Sequence, residues 1–210
     1  SIKIFYNTFI TAKLCLVNMI QDTAMKIGNM NVDVVTEALK RSDQRITGPS
    51  YMRAGLGDGG GCHPRDNIAL RWLSKKYNFG YDLFNAIVKS REVQSKNIAK
   101  FMISKSKGDK YVILGTGFKP GTDQLEGSPS ILVGYYLEKE NKSVSYTNSL
   151  EGVEKDLNEP HTYLIGHFGG FYNNYEFAKN SIIVDPWREI NIINRHDLLI
   201  FHYGNSKRSS

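Results

Sequence analysis

Five glycines crowd the seven residues from Gly55 to Gly61, and the next residue is a cysteine, Cys62. Glycines at this density let the backbone take positive φ and approach a ligand closely. The pattern of residues from Asp66 onward reads as a helix, so Cys62 falls just before a helical N-terminus, where a thiolate and a nearby oxyanion are stabilised. Asp66 lies four residues beyond the cysteine, one helical turn away. A thiol with a carboxylate one turn off suits covalent catalysis with proton handling. Two other readings of the same residues stay open. One is a plain glycine linker beside a buried cysteine. The other is a Cys–His hydrolase using His63, although adjacent residues on one element point in different directions. A zinc site is not expected, because one Cys and one His supply too few ligands.

A second polar set precedes the loop. Lys3, Asn7, Thr11 and Asn18 recur at spacings of 4, 4 and 7 in an apolar helical segment, which gathers them within roughly 80° of arc. On a buried helix such groups need partners. They serve either as donors aimed at developing negative charge or as the solvated edge of an amphipathic helix.

Elements must hold these groups in place. Residues 2–27 carry Phe5, Phe9, Ala12, Leu16 and Ile20 at helical spacing, with Gly28 and Asn29 as the stop. Asn31 or Asp33 is the expected cap of a second helix through Lys40. Helices are expected over 66–78 and 81–104. The character changes near Lys105–Lys110. Short apolar runs at Tyr111–Leu114, Ser143–Tyr146, His161–Phe168, Ser181–Val184 and Leu198–His202 then read as strands, with a helix from Ser128-Pro129 through Glu138. Strands alternating with helices predict a parallel sheet covered on both faces. The fold class is therefore an all-helical domain followed by an α/β, Rossmann-like domain.

The chain has 210 residues and a formal charge of +6. Its Lys and Arg residues are scattered rather than gathered in a stripe, which suits an anionic small molecule better than nucleic acid. Two cysteines, Cys15 and Cys62, do not make a disulfide framework in a chain of this size. No apolar run spans a bilayer and no signal-peptide pattern opens the chain, so a cytoplasmic protein with no membrane partner is expected.

Four blocks in order resemble the UDP-glucose/GDP-mannose dehydrogenase family. The first helix is similar to its Lys-x-x-x-Asn-x-Phe-x-x-x-Lys-x-x-x-x-Asn pattern at Lys3, Asn7, Phe9, Lys13 and Asn18. The Asp43-Gln44-Arg45-Ile46 run resembles the segment ahead of the family's loop. Gly57 through Asp66 resembles its Gly-x-Gly-Gly-x-Cys-x-x-Lys-Asp signature. Leu114 through Asp123, followed by Ser128-Pro129, resembles the opening of its C-terminal domain.

The resemblance implies a helical central domain with the cysteine loop over residues 1–107, and a Rossmann-like nucleotide-sugar-binding domain over 108–210. No Gly-x-Gly-x-x-Gly follows a strand, so the family's N-terminal NAD-binding domain is expected to be absent from this chain, which alone would be inactive. It implies an NAD-dependent nucleotide-sugar 6-dehydrogenase of the UDP-glucose to UDP-glucuronate type, oxidising C6 twice through a cysteine thiohemiacetal and thioester. Cys62 would be the nucleophile, Lys3 and Asn7 the oxyanion partners, and Asp66 the group that orders the lysine and a water. Arg45, Tyr51, Arg53, Gly59, Lys119 and Arg188 would contact the nucleotide sugar, a UDP-hexose foremost, with Arg45 donated across a homodimer. No metal is implied. The chain departs from the pattern at Asp58, His63 and Arg65, and at Glu126, which stands where the family has an arginine that binds NAD. A carboxylate there would repel pyrophosphate and keeps open a non-catalytic nucleotide-sugar-binding or dimerisation module.

Overall fold

The computed structural model describes residues 29–48, 54–57, 62–149 and 157–204, together with Ile2, Phe9, Ala12, Lys13, Leu16, Ile20 and Ile27. The chain divides into two compact units. One comprises residues 1–53 and 66–87, the other residues 54–65 and 88–210.

In the first unit the seven early residues are all helical. Helix α1, Val32–Lys40, starts because the Asn31 side chain accepts from the Asp33 N–H at 2.8 Å, removing one orphan donor of the first turn. Asp33 in its first turn and Lys40 in its last complement the helix dipole. A single π-helical turn follows at Asp43–Thr47. Helix α2, Cys62–Lys76, opens in the second unit and runs on into the first; Pro64 sits in its first turn, where a missing N–H costs nothing. Phe79 and Phe84 are buried among Leu70, Tyr77 and Leu83.

The second unit is built on five parallel strands: β1 Lys110–Leu114, β2 Ser143–Thr147, β3 Thr162–Ile165, β4 Ile182–Asp185 and β5 Leu199–His202. Their spatial order is β2-β1-β3-β4-β5. Successive strand residues feed opposite cores, as the pleat requires. Tyr111, Ile113, Leu164, Ile182 and Val184 face a core shared with Ile98, Ala99 and Met102 of helix α3, Leu83–Lys105, and with Val133 and Leu137 of helix α4, Pro129–Lys139. Val112, Leu114, Tyr163, Ile165 and Ile183 face the other. Ser128 caps α4 through its hydroxyl and Pro129 takes the first helical position.

The sheet is parallel as predicted, and among the described residues the helices lie on one of its faces. The described connection between β3 and β4 holds only a 3-10 turn, Phe171–Asn174. Aromatic side chains do the covering instead: Tyr163 meets Phe177 edge-on at 5.0 Å, and Tyr175 lies 4.9 Å from Phe177. The third strand also stops at Ile165, short of the predicted Phe168. Gly166 there packs so close to Gly115 that a Cβ would lie 2.2 Å from its carbonyl oxygen, so the chain turns at this point. Among the described residues no helix is long and apolar enough to cross a membrane.

Candidate functional site

The root of the glycine loop, Ala54–Gly57, is held from several directions within the second unit. Leu56 is buried in the helix-covered core. Gln94 of α3 grips both sides of it: its Nε2 donates to the Gly55 carbonyl at 3.2 Å and its Oε1 accepts from the Gly57 N–H at 3.1 Å. The Arg188 Nη2 donates to the Ala54 carbonyl at 2.7 Å. Gly55 lies flat on the Trp187 ring, where a Cβ would fall 1.9 Å from a ring carbon. Gly57 takes φ +64 against Pro129, a conformation that side chains resist. Five positions later Cys62 opens α2, a helix of 15 residues. Asp66 follows four positions along the same helix, and both Asp66 and His63 are exposed.

The carboxyl edge of the sheet forms the other part. The chain passes from β1 outward to β2 and returns across to β3 on the far side of β1. This reversal opens a crevice at the ends of β1 and β3, the usual ligand position in an open parallel sheet. A cavity of about 330 Å³ lies there, lined by Pro120, Thr122, Asp123, Asn148, His167 and Tyr172. Thr116 donates to Asn148 Oδ1 from its N–H at 2.7 Å and from its hydroxyl at 2.9 Å. The buried His167 lies 2.8 Å from the Gly117 carbonyl through Nε2, which makes Nε2 the protonated nitrogen, because a carbonyl only accepts. Burial of the ring pushes its pKa below the ordinary histidine value, against the smaller opposing pull of that carbonyl. The paired N–H groups of Gly169 and Gly170 point at one carboxylate oxygen of Glu189. This backbone nest is therefore filled by the chain's own anion.

Among the predicted site residues, Lys3, Asn7, Tyr51, Arg53 and Gly59 lie outside the described residues, as does the side chain of Cys62. Arg45 sits exposed in the π-helical turn. Lys119 is exposed on the loop after β1, its ammonium 5.4 Å from the centre of the Phe118 ring. Glu126 is exposed on the same loop. Arg188 has φ +60 and donates to the carbonyls of Pro186, Tyr203 and Ala54, so three of its five N–H groups are engaged by backbone. Sequence reasoning missed Gln94, Trp187 and His167. Only Trp187 carried a signal, as one of the two tryptophans in the chain. Among the described residues no cluster of His, Cys, Asp and Glu could hold a metal.

The central-domain model of the UDP-glucose/GDP-mannose dehydrogenase family matches residues 1–93. The chain is similar to the UDP-glucose 6-dehydrogenase of Rickettsia typhi, 29% identical over 203 residues, covering 94% of this chain and 45% of that protein. It is also similar to the UDP-glucose 6-dehydrogenase of Rickettsia felis, 32% identical over 162 residues, covering 74% of this chain and 36% of that protein. The chain thus spans less than half the length of these curated relatives. In fold it resembles the GDP-mannose dehydrogenase of Pseudomonas aeruginosa, solved as a ternary complex, with a TM-score of 0.76 at 18% identity over 95% of this chain and 52% of that one.

Proposed function

The chain belongs, through residues 1–93, to the UDP-glucose/GDP-mannose dehydrogenase family, and from this premise we propose that it forms the sugar-oxidising part of an NAD-dependent nucleotide-sugar 6-dehydrogenase of the UDP-glucose to UDP-glucuronate type. One observation carries the reading. The family match runs through the glycine loop to Cys62, and Cys62 is the first residue of a 15-residue helix. A thiolate at that position gains from the helix dipole and is a competent nucleophile at neutral pH.

In this reading Cys62 adds to the C6 aldehyde and holds the sugar covalently, first as a thiohemiacetal and then as a thioester that water cleaves. Lys3 and Asn7 offset the negative charge on the oxygen at each addition. Asp66 orders the lysine and the hydrolytic water. Arg45, Tyr51, Arg53, Gly59, Lys119 and Arg188 hold the nucleotide sugar, with Arg45 reaching across a homodimer.

NAD, when bound, accepts the hydrides from C6. The described residues do not fit its pyrophosphate. The Gly115-Thr116-Gly117 run after β1 leads into a loop rather than a helix, and a Cβ at Gly117 would lie 2.1 Å from the Thr122 carbonyl oxygen. That glycine makes room for the chain itself, and Glu126 adds an exposed carboxylate to the same loop. The proposal therefore assigns NAD to residues outside those described. Glu126 also favours a second reading, a nucleotide-sugar-binding or dimerisation module without turnover.

The test is selective alkylation. At neutral pH, Cys62 is expected to react with iodoacetamide at least about tenfold faster than Cys15, because a helix N-terminus stabilises the attacking thiolate. UDP-glucose should protect Cys62 and leave Cys15 untouched. Equal rates with no protection would remove the basis of the proposal. Protection with no NADH formed by the full enzyme would favour the second reading.

A further inference from the structure

Four residues, Asp58 to Gly61, separate Gly57 from Cys62, and three of them are glycines. Cys62 is the first residue of α2. The last described residue before it is Gly57, and the Gln94 amide binds backbone on both sides of Leu56 as a neighbouring strand would. Neither bond belongs to a helix or the sheet, so neither is needed to build those elements. On the other side of the segment, the Trp187 ring leaves no room for a side chain at Gly55.

We propose that Gln94 is a positioning residue for the catalytic cysteine: its two-sided hold on Gly55 and Gly57, five residues ahead of Cys62, sets the reactivity of that thiol. This rests on the reading of Cys62 as the nucleophile. Gln94 touches no substrate in this account. It acts only through the loop, and the contact between Gly55 and Trp187 acts on the same segment from the opposite side.

The experiment compares the full-length protein with its Gln94→Ala, Gln94→Glu and Gly55→Ala variants. Iodoacetamide alkylation of the Cys62 and Cys15 peptides is followed by mass spectrometry between pH 5 and pH 9. A misplaced reacting group commonly loses one to two orders of magnitude in rate, so Gln94→Ala should slow Cys62 by about tenfold or more. Its pH profile should move upward, Cys15 should be unchanged, and the melting temperature should fall by only a few degrees. Gln94→Glu keeps the acceptor for Gly57 and loses the donor to Gly55, so it should fall between wild type and Gln94→Ala. Gly55→Ala should reproduce the loss without touching Gln94. Wild-type rates and profile at Cys62 in both Gln94→Ala and Gly55→Ala would overturn the proposal, and so would equal changes at Cys62 and Cys15. If wild-type Cys62 proves no faster than Cys15, the nucleophile reading itself has failed. Hydrogen exchange of the peptide covering residues 55–62 then judges the anchor: faster exchange in Gln94→Ala supports it, and unchanged exchange overturns it.

Discussion

His167 donates to the Gly117 carbonyl while its ring lies against Gly115, and burial lowers its pKa. The unfolded chain therefore takes up the proton first as pH falls. The stability due to the neutral ring is fully present above about pH 6.5, the ordinary histidine value, and is lost as pH falls through the lowered folded value. His167→Gln should flatten this part of the urea-unfolding midpoint between pH 7 and pH 5, with a loss of about 1–2 kcal/mol at pH 7 from altered packing. An unchanged slope would show that the ring does not carry the titration. Asp185 makes a stronger case for a structural residue. It is 0% exposed and accepts from the N–H groups of Trp187, Glu189 and Ile190 at 2.9, 2.6 and 2.8 Å. Asp185→Ala strands these donors and should cost about 3 kcal/mol or more, read as a fall in the denaturation midpoint. At this scale the sequence exposed only part of the site. A cysteine after a glycine run carries its chemistry in its neighbours along the chain. Gln94 does not, because a lone glutamine in the middle of a helix looks like any solvated residue until the fold brings it to Gly55 and Gly57.

Helix α4 was legible because Ser128-Pro129 supplies both cap and first helical residue, and the strands were legible because short apolar runs sit between turn residues. The cover over the second face of the sheet was not. Tyr172, Tyr175 and Phe177 bury themselves without helical or strand period, and a periodicity reading has nothing to detect there. Close packing between elements also escapes pattern reading, and Gly134 shows why it matters. In an exposed helix, replacing glycine by alanine gains about 0.5–1 kcal/mol. At Gly134 the added Cβ would lie 2.4 Å from the Tyr146 hydroxyl and 2.6 Å from its ring. That ring cannot simply swing away, because its hydroxyl donates to Glu138 at 2.7 Å. Overpacking of this kind costs about 1–3 kcal/mol, so the clash outweighs the propensity. Gly134→Ala should lower the melting temperature by about 2–4 °C for each net kcal/mol lost. A rise in melting temperature would mean that α4 shifts freely over β2.

Among the described residues, the two units differ in how they bury apolar surface. The second unit holds two extensive cores, one on each face of its sheet. Among the described residues of the first unit, the buried cluster is Phe79 and Phe84, and α1 has no buried residue although its Val34 is 67% exposed. Ile2, Phe9 and Leu16 are helical, exposed and seven residues apart, the spacing at which one face of a helix repeats against a partner helix. Apolar area left open on this scale is normally covered by association. This exposed apolar spacing supports the proposed homodimer through the central helices, in which Arg45 would act across the interface. Light scattering on the eluting peak should give twice the chain mass. The double variant Phe9→Asp, Leu16→Asp places four carboxylates in the dimer's apolar seam and should shift the equilibrium to monomer by well over tenfold, since each buried unpaired charge costs several kcal/mol. The second unit's core is built without these residues, so its cooperative unfolding should persist in the variant. A wild-type protein that elutes as a clean monomer across micromolar concentrations would refute the dimer, and with it the cross-subunit role of Arg45, while leaving the chemistry assigned to Cys62 to be judged by its own alkylation test.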